Sequence, residues 1–574
     1  MRAPAATVGA VLLIFVGAAG LTGPGVAQTK PAATAAKADR PRLVVFISVD
    51  QFRRDYVERY GARWTAGLAR LVKDGAFYDH AAYPYFHTIT CAGHATMSTG
   101  VYPATHGLPL NGWWDRESGR EMACTDDGGA KAIGHRAGPK APTGGHSAHL
   151  LRAPTLADVL REQLTPTPRV VSMSMKPRAA IMLAGHGGDA VLWYSAEGGP
   201  TTSTAYTSKA IPFASKFASK NPTPAELSGE WTRLLPVDAY QNEDDGVGEH
   251  PPDGWTNTFP HPLTQTRSDG RVMSYWQSTP AADAFLAHLG MAAVDDMKLG
   301  RDRLDFLAIS FSELDTTGHA FGPDSHEVQD VLLRLDRSIG ELLDHLDAKV
   351  GKGRYVVALT GDHGVAPLPE RRKSQGLDGG RVNLKPLAIE LDAALSTRWG
   401  KATYVSKILY TDIYFAPGVY ARLEKDAAAM ADVVAIIERT PGVTKAFRRD
   451  QIEAAPAAGD DPALVALRYS RVPDRSGDMF LLPRPFWITN ATGTTHGTPQ
   501  AYDREVPVLL FGAGIKAGRY AEPASPVDIV PTLAALAGVH MPKTDGRVLN
   551  EALVTPAPPP TAGTGASNRP TGAH

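Results

Sequence analysis

Four short apolar runs, each ending in a residue able to do chemistry, constrain this chain more than any other feature. Leu43–Val49 leads to Asp50, Arg169–Met175 to Lys176 and Arg178, Phe306–Phe311 to Asp315, and Tyr355–Thr360 to Asp362. Continuous apolar runs of this length suit parallel strands covered on both faces, because such strands present no polar side to water. In sheets of that kind ligands bind beyond the carboxyl ends of the strands. Helical patterns separate the runs. Val328, Val331, Leu332, Leu335, Ile339, Leu342, Leu343 and Leu346 recur at spacings of three and four, which predicts an amphipathic helix stopped near Gly351 and Gly353. Thr155 and Asp158 open another helix with a capping-box pattern, and Pro531–Ala537 begins a last one before Gly538. Alternating strand and helix signals predict an α/β fold, a three-layer α/β/α sandwich around a mostly parallel sheet.

At 574 residues the chain exceeds what one simple core fills, so insertions or a second domain are expected. Two stretches break the alternation. Residues from about 195 to 280 are rich in Gly, Pro, Thr and Ser around Trp231, Trp255 and Trp276. Residues from about 370 to 480 carry a helix-like segment, Leu423–Glu438, among short strand-like runs. Both are read as insertions over the face where the strands end, the second as a cap. They sit within a main domain spanning residues 40–554.

The first 27 residues read as a secretory signal: Arg2, an apolar stretch from Val8 to Leu21, and the small-residue site Gly25-Val26-Ala27. That stretch falls short of the ~20 apolar residues of a spanning helix, although an uncleaved anchor is the alternative. The mature chain is expected in the periplasm or secreted, without a membrane span. Residues 28–39 read as a flexible leader, and 555–574, nearly all Pro, Ala, Thr and Gly, as a disordered tail. A formal net charge of −1 gives no general attraction to nucleic acid or to an anionic membrane, so anion binding requires a built site. The only two cysteines, Cys91 and Cys124, are read either as a disulfide or as two buried thiols.

The strand-end residues have company. Thr90 stands in Thr90-Cys91-Ala92-Gly93-His94, Asp315 and His319 are four apart, Asp362 and His363 adjoin, and His496 opens His496-Gly497-Thr498-Pro499. Taken singly, each has an ordinary reading as a helix cap or a satisfied polar cluster. Taken together, the carboxylates and imidazoles suit two divalent cations. Such a pair, about 3.5–4 Å apart, activates a nucleophile and stabilises a leaving oxygen in one in-line displacement. Lys176 and Arg178, two apart on an extended segment, would point the same way toward one anion.

The order Asp, Thr-x-x-x-His, Asp-x-x-x-His, Asp-His-Gly, His-Gly-Thr resembles the alkaline phosphatase superfamily over roughly residues 40–200, 280–365 and 490–550. Lys176-Pro177-Arg178 and Asn111 further resemble the phosphate-irrepressible alkaline phosphatases of the PafA and PhoK type. The resemblance implies hydrolysis of small phosphate monoesters through a phosphothreonine, with Thr90 as nucleophile in preference to Thr88. It implies two zinc ions per chain. Asp315, His319 and His496 would hold one; Asp50, Asp362 and His363 would hold the other; Thr90 would face both. Lys176, Arg178 and Asn111 would bind the phosphoryl oxygens. Additional calcium at Asp244-Asp245 or Asp460-Asp461 is left open.

A nucleotide pyrophosphatase/phosphodiesterase is the main rival, against which Lys176 and Arg178 argue. A sulfatase would need a Cys/Ser-x-Pro-x-Arg pattern that Cys91-Ala92-Gly93-His94-Ala95 lacks, and the export signal disfavours a metal-dependent phosphoglycerate mutase. A non-catalytic exported metal or phosphate scavenger is the alternative from another class.

Overall fold

The computed structural model of the protein describes residues 40–136, 142, 144–195, 199–221, 229–263 and 275–555. The signal, leader and tail readings (but for Thr555) lie outside them. Ten strands form one sheet: β1 (Leu43–Val49), β2 (Ala76–Tyr78), β3 (Ala132–Gly134), β4 (Val170–Ser174), β5 (Ala190–Ser195), β6 (Gly199–Ser203), β7 (Asp305–Phe311), β8 (Tyr355–Thr360), β9 (Val508–Gly512) and β10 (Gly518–Tyr520). Their spatial order is β10-β2-β9-β8-β1-β7-β4-β5-β6-β3. The central strands β8, β1, β7, β4 and β5 pair in parallel, while β9 and β6 join them antiparallel on either side.

Every residue of β1 is buried, and alternate side chains enter opposite cores. Leu43, Val45, Ile47 and Val49 pack on one face; Val44 and Phe46 pack on the other. Helices cover both. The second face meets α1 (Thr90–Thr99), α2 (Leu156–Gln163) and α3 (Pro177–Ala184). The first face meets α4 (Pro280–Asp296), α5 (Glu313–Phe321) and α6 (His326–Leu346), and α7 (Ile529–Ala537) returns to the second. This is the three-layer α/β/α arrangement that buried, continuously apolar strands require. The local signals act as expected: Thr155 and Asp158 cap α2 reciprocally, Ser325 caps α6, and Gly538 ends α7 in the left-handed conformation.

Register sets the level at which chemistry emerges. Ser48 lies opposite both Ser310 and Thr360, and Ser310 lies opposite Ser174. The four strands therefore release Asp50, the start of α5, Asp362 and Lys176 at one edge.

The two irregular stretches differ in fate. Residues 199–203 still belong to the sheet, as β6. The aromatic residues that follow, Trp231, Trp255 and Trp276, are buried in the core shared with α4 and α6. Trp231 donates its indole N–H to Asp330 of α6 at 2.7 Å. A helix layer with spare apolar surface and a buried carboxylate recruits these residues.

The later stretch builds its own small sheet, strands Val405–Leu409, Asp412–Phe415, Met479–Pro483 and Val443–Arg448 in that spatial order. Helices Leu384–Trp399 and Ala427–Arg439 close a separate core around Leu391, Ile413, Val433 and Leu481. The helix expected over 423–438 runs from Ala427 to Arg439, starting where the Asp426 carboxylate accepts from Ala429 N–H, while Leu423 ends a short helix before it.

Candidate metal centre

Asp50, Asp315 and Asp362 come together at the edge of the central strands, all buried. Asp50, Asp362 and His363 bring ligand atoms within 4.8 Å of one another, and so do Asp315, His363 and His496. His363 belongs to both groups. Its Nε2 lies 3.4 Å from Asp50 Oδ1, 3.3 Å from Asp362 Oδ2 and 3.4 Å from Thr90 Oγ1. The imidazoles of His363 and His496 stack with centroids 3.4 Å apart. His319, expected beside His496, stands at the rim with its Nε2 3.1 Å from Asp315 Oδ1 and its ring 5.2 Å from that of His496.

Each of the three imidazoles is aimed by the main chain. Nδ1–H of His319 donates to Thr494 O at 2.7 Å, that of His496 to Thr88 O at 2.8 Å, and that of His363 to Gly364 O at 2.9 Å. A donor on Nδ1 leaves Nε2 as the lone-pair nitrogen, the form that ligates metal.

The charges agree. Burial, reinforced by Asp315 and Asp362, holds the Asp50 carboxyl well above its usual range. Against the effect of burial, His319 and Lys176 hold Asp315 well below it. Burial, with His363 and His319 as neighbours, keeps His496 far below the usual imidazole value and therefore neutral. Lys176 pairs with two of the carboxylates: its ammonium lies 2.6 Å from Asp50 Oδ2 and also pairs with Asp315, and despite burial these raise it to about 12. Asp50 Oδ1 and Asp362 Oδ2 accept no hydrogen bond. Buried carboxylate oxygens without donors, beside the imidazoles of His363 and His496 that burial holds neutral, fit divalent metal ions.

Thr90 is the first residue of α1, and its hydroxyl faces His363, the residue common to both groups. Thr88 turns away, donating to Thr498 O at 2.9 Å. Gly93 lets α1 approach: a Cβ there would collide with the carbonyl of Asp362. Cys91 and Cys124 are joined in a disulfide, with Cα atoms 6.6 Å apart. Asn111 accepts from Cys91 N–H at 2.8 Å, so its amide is oriented from α1.

Lys176 and Arg178 are not both on extended backbone. Lys176 is extended, but Pro177 starts α3 and puts Arg178 in its first turn. No carboxylate among the described residues pairs with Arg178, and its Nε has no hydrogen-bond partner. The acidic pairs considered for calcium are engaged with cations: Asp244 with Arg233, Asp460 with Arg468, Asp461 with Lys445. Trp113 is buried against Arg475, and Trp114 is partly buried.

Two supporting residues carried no assigned role in the sequence reading. Gln51, at φ 68°, donates its N–H to Asp362 at 3.0 Å and its side-chain amide to Asp315 at 2.7 Å, tying the two groups together. His94, one turn after Thr90, donates to or accepts from Ser310 Oγ at 2.8 Å and stands 3.2 Å from Asp362. Its i+4 spacing from Thr90 was the available signal.

The type I phosphodiesterase/nucleotide pyrophosphatase family matches residues 44–503. The chain belongs to that family. Within the alkaline phosphatase superfamily it is 31% identical to alkaline phosphatase PafA of Elizabethkingia meningoseptica, over 88% of this chain and 92% of that one. It is also 31% identical to alkaline phosphatase PhoK of a Sphingomonas species, over 89% and 91%. The crystal structure of wild-type PafA superposes with a TM-score of 0.82 at 29% identity, covering 90% of this chain and 99% of that one. A solved PafA variant (TM-score 0.83, 28% identity, the same coverage) carries substitutions of a threonine, an asparagine, a lysine and an arginine. Thr90, Asn111, Lys176 and Arg178 have the same residue types in the same order, with the same spacing within each pair.

Proposed function

We propose that this family member is an exported alkaline phosphatase that hydrolyses phosphate monoesters with Thr90 as nucleophile, on a site that holds two zinc ions. The observation that carries the reading is the Thr90 hydroxyl facing the one imidazole shared by two buried ligand groups, with Arg178 and Asn111 nearby on α3 and beside α1. Asp315, His319 and His496 are assigned to one ion, and Asp50, Asp362 and His363 to the other. When bound, such a pair lowers the pKa of the attacking oxygen and stabilises the departing one.

The chain's own residues supply the rest. Thr90 Oγ1 bonds to phosphorus as the ester oxygen leaves, and water later cleaves the phosphothreonine. Helix α1 points its N-terminus at the phosphoryl group. The guanidinium of Arg178, the Asn111 amide and Lys176 bind the three equatorial oxygens. A dianionic monoester gains more from these groups than a monoanionic diester. The small-ester substrate follows from the local character of this charge, and export from the N-terminal signal pattern.

Paired kinetics test the reading: kcat/KM for a phosphomonoester and its matching diester, wild type against Lys176→Ala/Arg178→Ala. A monoester preference that falls by about 10²-fold or more in the double variant is expected. A diester preference indifferent to the substitutions would support the phosphodiesterase reading, which the family's description favours. Exhaustive chelation is expected to remove activity, and zinc to restore it better than magnesium or calcium.

A further inference from the structure

Among the contacts the cap makes with the site is the two-residue tip Tyr410-Thr411, between strands Val405–Leu409 and Asp412–Phe415. Tyr410 has φ 52°, a conformation that an aromatic L-residue rarely adopts. Strained backbone of this kind persists where the surroundings over-determine it, and it clusters at functional sites.

The surroundings here are specific. Beside Tyr410, Thr411 Oγ1 and Asp412 Oδ1 lie 3.0 and 2.8 Å from His87 Nε2, three residues before Thr90. Gly477 N–H donates to the other oxygen of Asp412 at 2.9 Å. The tip is thus clamped between the cap's own sheet and the segment that leads into α1. So fixed, the Tyr410 hydroxyl accepts from the Asn111 side-chain amide at 3.4 Å, while Asn111 Oδ1 accepts from Cys91 N–H. Tyr410 also lies within electrostatic reach of Arg178 and, with Thr411, lines a small cavity beside His496.

We propose that Tyr410 is a positioning and specificity-determining residue that fixes the Asn111 amide and walls the phosphoryl pocket against a second ester group. The inference rests on the phosphatase reading above. An amide has two N–H groups. One spent on Tyr410 fixes the plane and leaves the other for a phosphoryl oxygen. The phenol, having accepted from Asn111, keeps its own proton to donate. Burial raises its pKa, which preserves that donor in alkaline solution. A monoester offers three bare equatorial oxygens to Asn111, Arg178 and Lys176. A diester replaces one of them with an esterified oxygen, whose second group would have to pass the Tyr410 ring.

The test uses the metal-loaded full chain and measures kcat/KM for p-nitrophenyl phosphate and methyl p-nitrophenyl phosphate. Tyr410→Phe is expected to lower the monoester value about tenfold and to leave the diester value within about twofold. In an Asn111→Ala background the same substitution is expected to cost nothing further, as for two residues acting through one contact. Tyr410→Gly, which relieves the positive φ, is expected to raise the diester-to-monoester ratio about tenfold or more. Equal losses on both substrates, or a full Tyr410→Phe effect without Asn111, would overturn the inference alone. A wild-type protein that turns over no monoester would overturn the phosphatase reading, and this inference with it.

Discussion

The floor of the pocket and its roof are built by different means. The floor is a line of strand ends whose level is set by hydrogen-bond register, so Asp50, Asp362 and Lys176 share an edge as soon as the sheet forms. The roof is a separate four-stranded sheet with its own core, and it reaches the floor through side chains, among them those of one hairpin tip, of Ser470 and of Arg475. Backbone register tolerates little adjustment, whereas a clamped hairpin can change its tip without disturbing the sheet beneath. The chemistry is therefore expected to be held by the floor and the choice of substrate by the roof.

Three substitutions test that division, in order of expected effect on turnover. Thr90→Ala should lower kcat for a phosphomonoester by about 10⁴-fold or more, as removal of a nucleophile does. Its thermal unfolding should stay close to that of wild type, because the substitution removes only one hydroxyl and one methyl at the first position of α1. Retention of most activity would move the nucleophile elsewhere. Gly93→Ala should cost about 10²-fold in kcat/KM, because its methyl displaces α1 from the end of β8 and misplaces the hydroxyl. Unchanged kinetics would show that register and close helix approach do not set the geometry. Leu391→Ala, in the core of the cap, should destabilise that subdomain by about 2–5 kcal/mol in denaturant unfolding. At temperatures where the cap stays folded, kcat should change by less than about threefold. A collapse of kcat there would make the roof part of the chemistry and erase the contrast.

The same contrast governs what can be read from the chain alone. Parallel strands buried on both faces must be continuously apolar, so β1, β4, β7 and β8 announce themselves, and a charged residue at the end of each is conspicuous. The metal-type residues of the floor were legible for that reason. Gln51 was not, because its role depends on a positive φ that its residue type does not signal. Arg178 was misplaced on extended backbone, although Pro177 is a helix-starting residue. The roof was legible as an insertion with helices and strands, but Tyr410 was not. It meets Asn111 across 299 residues of chain, and a tyrosine in a turn carries no mark of that meeting. The tryptophans of the earlier stretch look the same in sequence whether they cover a pocket or a helix; only the buried Asp330 shows which surface they chose.

The imidazoles of His319, His363 and His496 all take their orientation from peptide carbonyls, at Thr494, Gly364 and Thr88. A carbonyl belongs to every residue type, so no single-codon change at those three positions deletes the acceptor. Thr88 and Thr494 can then change side chain and keep the acceptor, whereas any side chain at Gly364 would collide with the Tyr502 carbonyl and move it. Damage to the aim comes from events that move the chain itself, such as insertions, deletions, proline or a side chain at Gly364.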